Sequence, residues 1–483
     1  MYLGIDIGTS SVKAVLIGAD QKIVASRSAS LEVSRPRPGR SEQDPESWWR
    51  ACETVLEGLA AERAREMGAV RGIGLSGQMH GATLLDDADE PLRPCILWND
   101  GRAETEAAEL SAASERITGN IAMPGFTAPK LVWVARHEPD IFKKVRTVLL
   151  PKDYIRLKLT GDKASDMSDS AGTLWLATET RDWSEEMLDL TALTRAHMPK
   201  LIEGSQPTGK LRSSLAARWG MPATTVVAGG GGDNAASGCG VGAVAPGTGF
   251  ISIGTSGVIF ISADRYRANP AGAVHAFCHA VPGTWHQMGV SLSAAASLDW
   301  IANILKTPAA DLVGELGHKP AGPSSILFLP YLSGERTPHN DVSVHGVFAG
   351  LDQRHGRKDI VQSVLEGVAF AFKDCLDVLT MPLAEPRRLI AVGGGSRSRY
   401  WLSTIATVLD LPIAVPTDGD FGAAFGAARL GLIAAENADP FAVCAPPKIQ
   451  ETIDPIVGLV DDFAAAHAAY CDLYPAIKET MPQ

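Results

Sequence analysis

The stretch "GIDIGTSSVKAV" occupies Gly4–Val15, and "ISIGTSGVIFIS" occupies Ile251–Ser262. Both contain I-x-I-G-T-S-x-V, and Ile5 and Ile251 lie 246 residues apart in a chain of 483. Apolar residues on both sides of each G-T-S predict strand, tight turn, strand. Such a turn presents successive backbone N–H groups and two hydroxyls, and its glycine lets a ligand approach the backbone. One copy alone reads equally well as a plain hairpin. Two copies at matching places favour a pair of phosphate cradles gripping a polyphosphate from opposite sides. The copies differ at one telling position, where Asp6 is replaced by Ser252. A carboxylate beside a phosphate turn is repulsive unless a cation lies between them, and Mg²⁺ is the usual one. Asp6 is therefore the expected metal ligand, and only one half needs to hold the metal.

The repeat extends outward from these turns. "YLGIDIG", "VKAVLIG" and "KIVASRSA" read as three strands, followed by a helix through "QDPESWWRACETVLEGLAAERA" and a buried strand, "VRGIGLSGQ". Asp44 is the expected N-cap of that helix and Pro45 its first residue, with Trp48, Cys52, Val55 and Leu59 at helical spacing. After Gly247 the pattern restarts with "GFISIG", "GVIFISA" and "VHAFCHA", then a long helix in "RKDIVQSVLEGVAFAFKDCLDVL". Strand–glycine turn–helix occurs in "ATTVVAGGGGDNAASGCG" and again in "RRLIAVGGGSRSRYWLSTIATVL". The expected architecture is α/β, with two duplicated domains facing a central cleft where ligands bind. The expected divisions are residues 1–246, 247–440, and a linker with a terminal helix at 441–483.

Composition narrows the function classes. The chain is 45% apolar and 20% charged, with a formal net charge of −11 and no Lys/Arg block, so nucleic acid and anionic membranes are not expected partners. The seven cysteines are scattered without a C-x-x-C, as in a protein whose thiols stay reduced. No apolar run approaches the roughly 18 residues of a membrane span. The N-terminus enters "MYLGIDIG" directly, so a soluble cytoplasmic protein is expected.

"GGGGDNAA" (Gly229–Ala236) holds the second site carboxylate. A helix cap would not require four glycines, which cost chain entropy. The alternative is that ligands approach this turn and Asp233 takes a proton from a hydroxyl, as the single base of a phosphoryl transfer. Four other motifs read as bystanders. "GIGLSG" lies inside a strand and opens no helix. "GSQPTGKL" has Leu211 where a phosphate loop needs Ser or Thr, and reads as a surface loop. "DFG" (Asp420–Gly422) lacks the other protein-kinase signatures. His275, Cys278 and His279 of "HAFCH" do not share one strand face, so they read as core or cleft-wall residues. Trp98 fits a core position or a cleft wall.

These residues resemble the FGGY family of carbohydrate kinases over nearly the whole chain. "GFTAPKLVWVARH" (Gly125–His137) fits the family's first signature and "GVFAGLDQRHGRKDIVQSVLE" (Gly346–Glu366) its second. "SEQDPESWW", "GLSGQMHGATLLD", "ILWNDGR", "LLPKDY", "SDMSDSAGTLW" and "FLPYLSGERTPH" resemble the branch acting on D-xylulose. The resemblance implies an actin-like, ribonuclease-H-like fold and ATP-dependent, Mg²⁺-dependent formation of D-xylulose 5-phosphate. It implies Asp233 as base, with Met79, His80 and Asn234 also at the sugar. It places Thr9, Ser10 and Lys13 at the first phosphate turn with Asp6 towards Mg²⁺, Gly254, Thr255 and Ser256 at the second, and Gly394 and Gly395 at the adenosine. The family turn before the base has three glycines where this chain has four. The resemblance allows a homodimer. The alternative readings are a kinase of the same family for another small ketose or polyol, an actin-like ATPase making no sugar phosphate, and a sugar sensor without catalysis.

Overall fold

The computed structural model describes residues 1–379, 386–417 and 421–479. The first sheet begins with strands β1 (Tyr2–Ile7), β2 (Ser11–Ile17) and β3 (Ile23–Ser30), each antiparallel to the one before. Helix α1 (Pro45–Glu62) follows, with the Asp44 side chain accepting from the Glu46 N–H and Pro45 in the first turn. Trp48, Cys52, Val55 and Leu59 are buried along its inner face. Strand β4 (Gly72–Gly77) returns parallel to β1. After helix α2 (Pro151–Thr160), strands β5 (Pro207–Lys210), β6 (Val226–Ala228) and β7 (Gly231–Gly232) complete the order β5-β6-β4-β1-β2-β3, with β7 also on β4. "GSQPTGKL" thus supplies the edge strand β5 rather than a surface loop, because the antiparallel ladder with β6 satisfies its backbone. Helix α3 (Asp233–Val241) leaves the end of β7.

The second sheet repeats the centre of the first. Strands β8 (Gly249–Ile253) and β9 (Gly257–Ala263) form the hairpin around the second G-T-S. Next come β10 (His275–Cys278), β11 (Trp285–Ser291), helix α4 (Arg357–Val378), β12 (Leu389–Val392), helix α5 (Arg399–Leu409) and β13 (Ile413–Pro416). Strand β12 lies parallel to β8, as β4 does to β1. Two details depart from the sequence pattern. The neighbour of β9 is β11, and β10 pairs outside it. The segment after 440, read as linker and helix, first adds strand β14 (Ile449–Ile453), antiparallel to β13 at the sheet edge. The order is β10-β11-β9-β8-β12-β13-β14. Both departures have one cause, since a short strand's partner is set by the exposed edge it meets and not by its own residues.

Helix α6 (Ala423–Glu436), from "AAFGAARLGLIAAE", belongs to the second half of the chain but packs on the first sheet. A methyl on Gly74 of β4 would sit 1.7 Å from the Ala427 carbonyl oxygen, and one on Gly4 of β1 would sit 1.9 Å from that of Ala424. Along its other side α6 meets α3, where a methyl on Gly426 would sit 1.7 Å from the Ala236 oxygen. The Arg429 guanidinium closes this junction. It donates to the Cys239 and Gly240 carbonyls at the end of α3, at 2.8 and 3.1 Å, and to Gln21 at 2.8 Å. Such a cation also complements the negative end of the α3 dipole. Asp420, the first residue of "DFG", lies outside the described residues. Helix α7 (Val460–Lys478) ends the described chain and buries Phe463, Tyr470 and Tyr474 in the core beneath the second sheet. Among the described residues no helix is long and apolar enough to cross a membrane.

Candidate active site

The G-T-S turn of the first sheet lies beside the end of β4 because β1 and β4 run parallel, with Asp6 opposite Ser76 and Ile7 opposite Gly77. Asp6 also faces Lys13 across the hairpin. Its Oδ1 is buried with no hydrogen-bond partner among the described residues, and the Ser76 hydroxyl lies beside the carboxylate. Burial holds the Asp6 carboxyl above its usual range, partly offset by Ser76 and then by the Lys13 charge. Burial holds the Lys13 ammonium below its usual range, with Asp6 opposing.

The residues following β4 form a polar network around Thr9. Its hydroxyl donates to Gln78 Oε1 at 2.9 Å and accepts from the Trp98 indole N–H at 3.0 Å. Gln43 donates to the Thr9 carbonyl at 2.7 Å, and its own Oε1 accepts from Gln78 and from Trp48, each at 2.9 Å. Trp98 is 41% exposed, so it is not core and stands at the first turn beside Thr9. Ser10 stays exposed at the tip of the turn.

Met79 and His80 continue from β4 directly to Asp233. A methyl on Gly232 would lie 2.9 Å from Met79 Cγ and Sδ. His80 has a left-handed backbone, φ 68°. Its Nδ1 is 2.7 Å from the Gly172 carbonyl. A carbonyl oxygen only accepts, so Nδ1 carries the proton and Nε2 is left as an acceptor. Burial lowers its pKa to about 3, which keeps the ring neutral. Its ring packs on Phe126 at 4.3 Å between centroids, and His275 packs on Phe126 at 5.6 Å. The Arg336 cation, from the second half of the chain, lies near enough to both histidines to oppose their protonation.

Asp233 opens α3, and Asn234 donates to its Oδ1 through the backbone N–H at 2.7 Å and the side-chain amide at 3.0 Å. Burial first and the nearby Asp6 charge second raise the Asp233 pKa to about 7, with Asn234 opposing both. Two carboxylates this close, one with an orphaned oxygen, make a donor set that fits a divalent cation. The glycines ahead of Asp233 are each tightly enclosed. Gly230 has φ 76°, and a methyl there would sit 2.2 Å from the Leu75 oxygen. Gly231 and Gly232 form the short ladder on Ser76 and Gly77. Beneath them Arg156 donates to the Ala228 and Gly229 carbonyls, both at 2.5 Å, and Ser168 Oγ accepts from the Gly232 N–H at 3.1 Å. Lys152 sits among Asp153, Asp166 and Asp169 at 2.5, 2.8 and 3.3 Å, all fully buried. This ion cluster is the foundation of the turn.

The second half brings a different set together. The Gly254 and Thr255 carbonyls accept from Ala295 and Ala294 at 2.8 and 2.9 Å, holding the second turn against the start of helix Ala295–Leu305. Thr255 and Ser256 are exposed. Gly254, Thr255, Gly394 and Gly395 line one cavity of about 980 Å³, with Leu298 and Trp401 on its apolar wall. A methyl on Gly394 would meet nothing within 4 Å. On the opposite face of the second sheet, a cavity of about 640 Å³ runs from Ser252 and Gly393 to Asn234.

All the expected site residues therefore fall into two groups, one around Asp6, Met79, His80 and Asp233, the other around the second turn and Gly394–Gly395. Sequence reasoning assigned no part to Gln43, Gln78, Arg156, Lys152 or Arg336. Gln43, Gln78, Lys152 and Arg336 lie in stretches that carry the family resemblance, and Arg156 lies two residues beyond one of them, so charged or amide residues among apolar neighbours were the available signal.

The N-terminal domain model of the FGGY family of carbohydrate kinases matches residues 1–240, and its C-terminal domain model matches residues 249–435. A xylulose kinase of Klebsiella pneumoniae is 47% identical over 100% of both chains. A xylulose kinase of Escherichia coli (strain K12) is 49% identical over 90% of each. The crystal structure of "a xyloylose kinase from Brucella ovis" superposes with a TM-score of 0.98 at 57% identity, covering 99% of both chains.

Proposed function

Because this chain belongs to the FGGY family of carbohydrate kinases, we propose that it transfers the γ-phosphoryl group of ATP to D-xylulose, giving D-xylulose 5-phosphate. The observation that carries this reading is the enclosed pair Asp6 and Asp233 beside Met79 and His80. With a pKa of about 7, Asp233 is poised to accept the proton of the attacking terminal hydroxyl. Asn234 orients its carboxylate. His80 Nε2 accepts a hydrogen bond from a sugar hydroxyl, and Met79 and Trp98 supply apolar walls. Adenosine fits the cavity at Gly394 and Gly395, and the second turn (Gly254, Thr255, Ser256) points its donors at the phosphates. The first turn (Thr9, Ser10) and Lys13 meet them from the sugar side. Asp6 would hold Mg²⁺, which when bound neutralises charge on the phosphates. Closure of the cleft would exclude water, the competing acceptor.

Mass spectrometry of the product from D-xylulose and Mg·ATP tests this directly. A sugar gaining one phosphoryl group, formed faster than from other pentuloses, hexuloses or glycerol, is expected. ATP hydrolysis without a phosphorylated sugar, or preference for another acceptor in that panel, would overturn it.

A further inference from the structure

Away from the cleft, α7 lies along α4, and three different side chains aim their donor atoms at one point. His467 and Cys471 are four residues apart on α7 and so share a face. Asp374 of α4 meets them. His467 Nε2 is 2.8 Å from Asp374 Oδ1, Cys471 Sγ is 3.5 Å from the same oxygen, and Sγ is 3.4 Å from Nε2. Among the described residues no other His, Cys, Asp or Glu group of three or more converges this way.

The distances can be set against a tetrahedral metal. Zinc binds N, O and S at about 2.0–2.3 Å, so the edges of its coordination tetrahedron are about 3.3–3.7 Å. Both edges involving Cys471 fall in that range, and the His467–Asp374 edge needs to open by roughly 0.5 Å. The imidazole is set in place by stacking against Tyr470 at 6.1 Å and by Phe370 at 5.7 Å. Cys471 is the exposed member of the seven cysteines, so the fourth position faces solvent. Asp374, Asp377 and Asp472 place negative charge around the thiol. That field attracts a dication, whose binding expels the thiol proton.

We propose that Asp374, His467 and Cys471 form a site for a borderline divalent metal of the zinc class, which staples the terminal helix α7 to the core helix α4. One thiolate, one imidazole and one carboxylate suit zinc better than the hard cations. The site shares no residue with the catalytic cleft, so it acts on the anchoring of α7.

The test uses the full chain after chelator treatment, titrated with Co²⁺ by absorption and with Zn²⁺ by calorimetry and thermal unfolding. One equivalent of Co²⁺ giving a thiolate-to-metal charge-transfer band and tetrahedral visible bands is expected, with Zn²⁺ displacing it and raising Tm. Cys471→Ser should remove the charge-transfer band, and His467→Ala should weaken binding at least about tenfold. Both variants should keep the parent circular dichroism and sugar phosphorylation. Asp6→Asn should keep the band, which separates this site from the cleft. Absence of a thiolate band, or its persistence in Cys471→Ser, would overturn the proposal, as would a Zn²⁺-dependent rise in Tm that is unchanged in His467→Ala.

Discussion

Asp233 is held by opposing influences, and each has a measurable consequence. Its pKa of about 7 reflects burial first and the Asp6 charge second. In its proposed role as base Asp233 must be deprotonated, so kcat/KM should fall with decreasing pH below about 7. Asp6→Asn removes the second cause, so at saturating Mg²⁺ the acid limb should move to lower pH while the rate falls. A pH profile with the limb unmoved would separate the two carboxylates. Asp233→Asn should lower kcat at least about a thousandfold while ATP binding persists, because the proton acceptor is lost and the nucleotide contacts are not. The same change should stabilise the fold. A raised carboxylate pKa favours the folded protein at low pH, and that advantage is lost as pH rises through about 7. The Asn variant should therefore be more stable than the parent above pH 7 by on the order of 1–2 kcal/mol, read as a higher Tm, with the difference vanishing near pH 4.

Helix α6 shows how a stripe of small residues becomes a joint between elements. Helix propensity alone says that Gly426→Ala should gain up to about 1 kcal/mol. The methyl would meet the Ala236 oxygen at 1.7 Å, so separation of α6 from α3 should instead cost about 1–3 kcal/mol. Gly314→Ala is the control, since a methyl there meets nothing within 4 Å and should change stability by only a few tenths of a kcal/mol. Denaturant unfolding of both variants decides between propensity and contact. The stripe's partners, Gly4, Gly72 and Gly74 of the first sheet, lie more than 340 residues away in the chain. Strand β14 was illegible for a related reason. Five residues of mixed polarity become a strand when β13 offers them an open edge.

At the scale of the molecule, the duplicated halves are interlocked rather than merely joined. Helix α3 comes from the first half and contacts Phe260 and His279 of the second through Gly238, while α6 makes the return crossing. A fragment of residues 1–246 would leave the α6-facing side of β1 and β4 open. We expect it to bind hydrophobic dyes and to unfold without a cooperative transition. A sharp thermal transition with native near-ultraviolet dichroism in that fragment would show the halves to be independent. The interlock also joins the two groups of site residues, because α3 begins with Asp233 near Asp6 and its next residue, Asn234, lines the cavity that also holds Ser252 and Gly393.

By itself the sequence determined the two α/β halves, their matching G-T-S hairpins and the position of the exceptional carboxylate. Period-two alternation around a glycine turn and a repeat over half the chain are local signals that need no knowledge of neighbours. Only the tertiary structure decided which face α6 covers, that Trp98 stands exposed at the first turn, that Arg156 and Lys152 underlie the Asp233 turn, and that the Arg336 charge lies near His80. Those facts rest on contacts between residues far apart in the chain, where packing and burial, rather than local preference, set the energy.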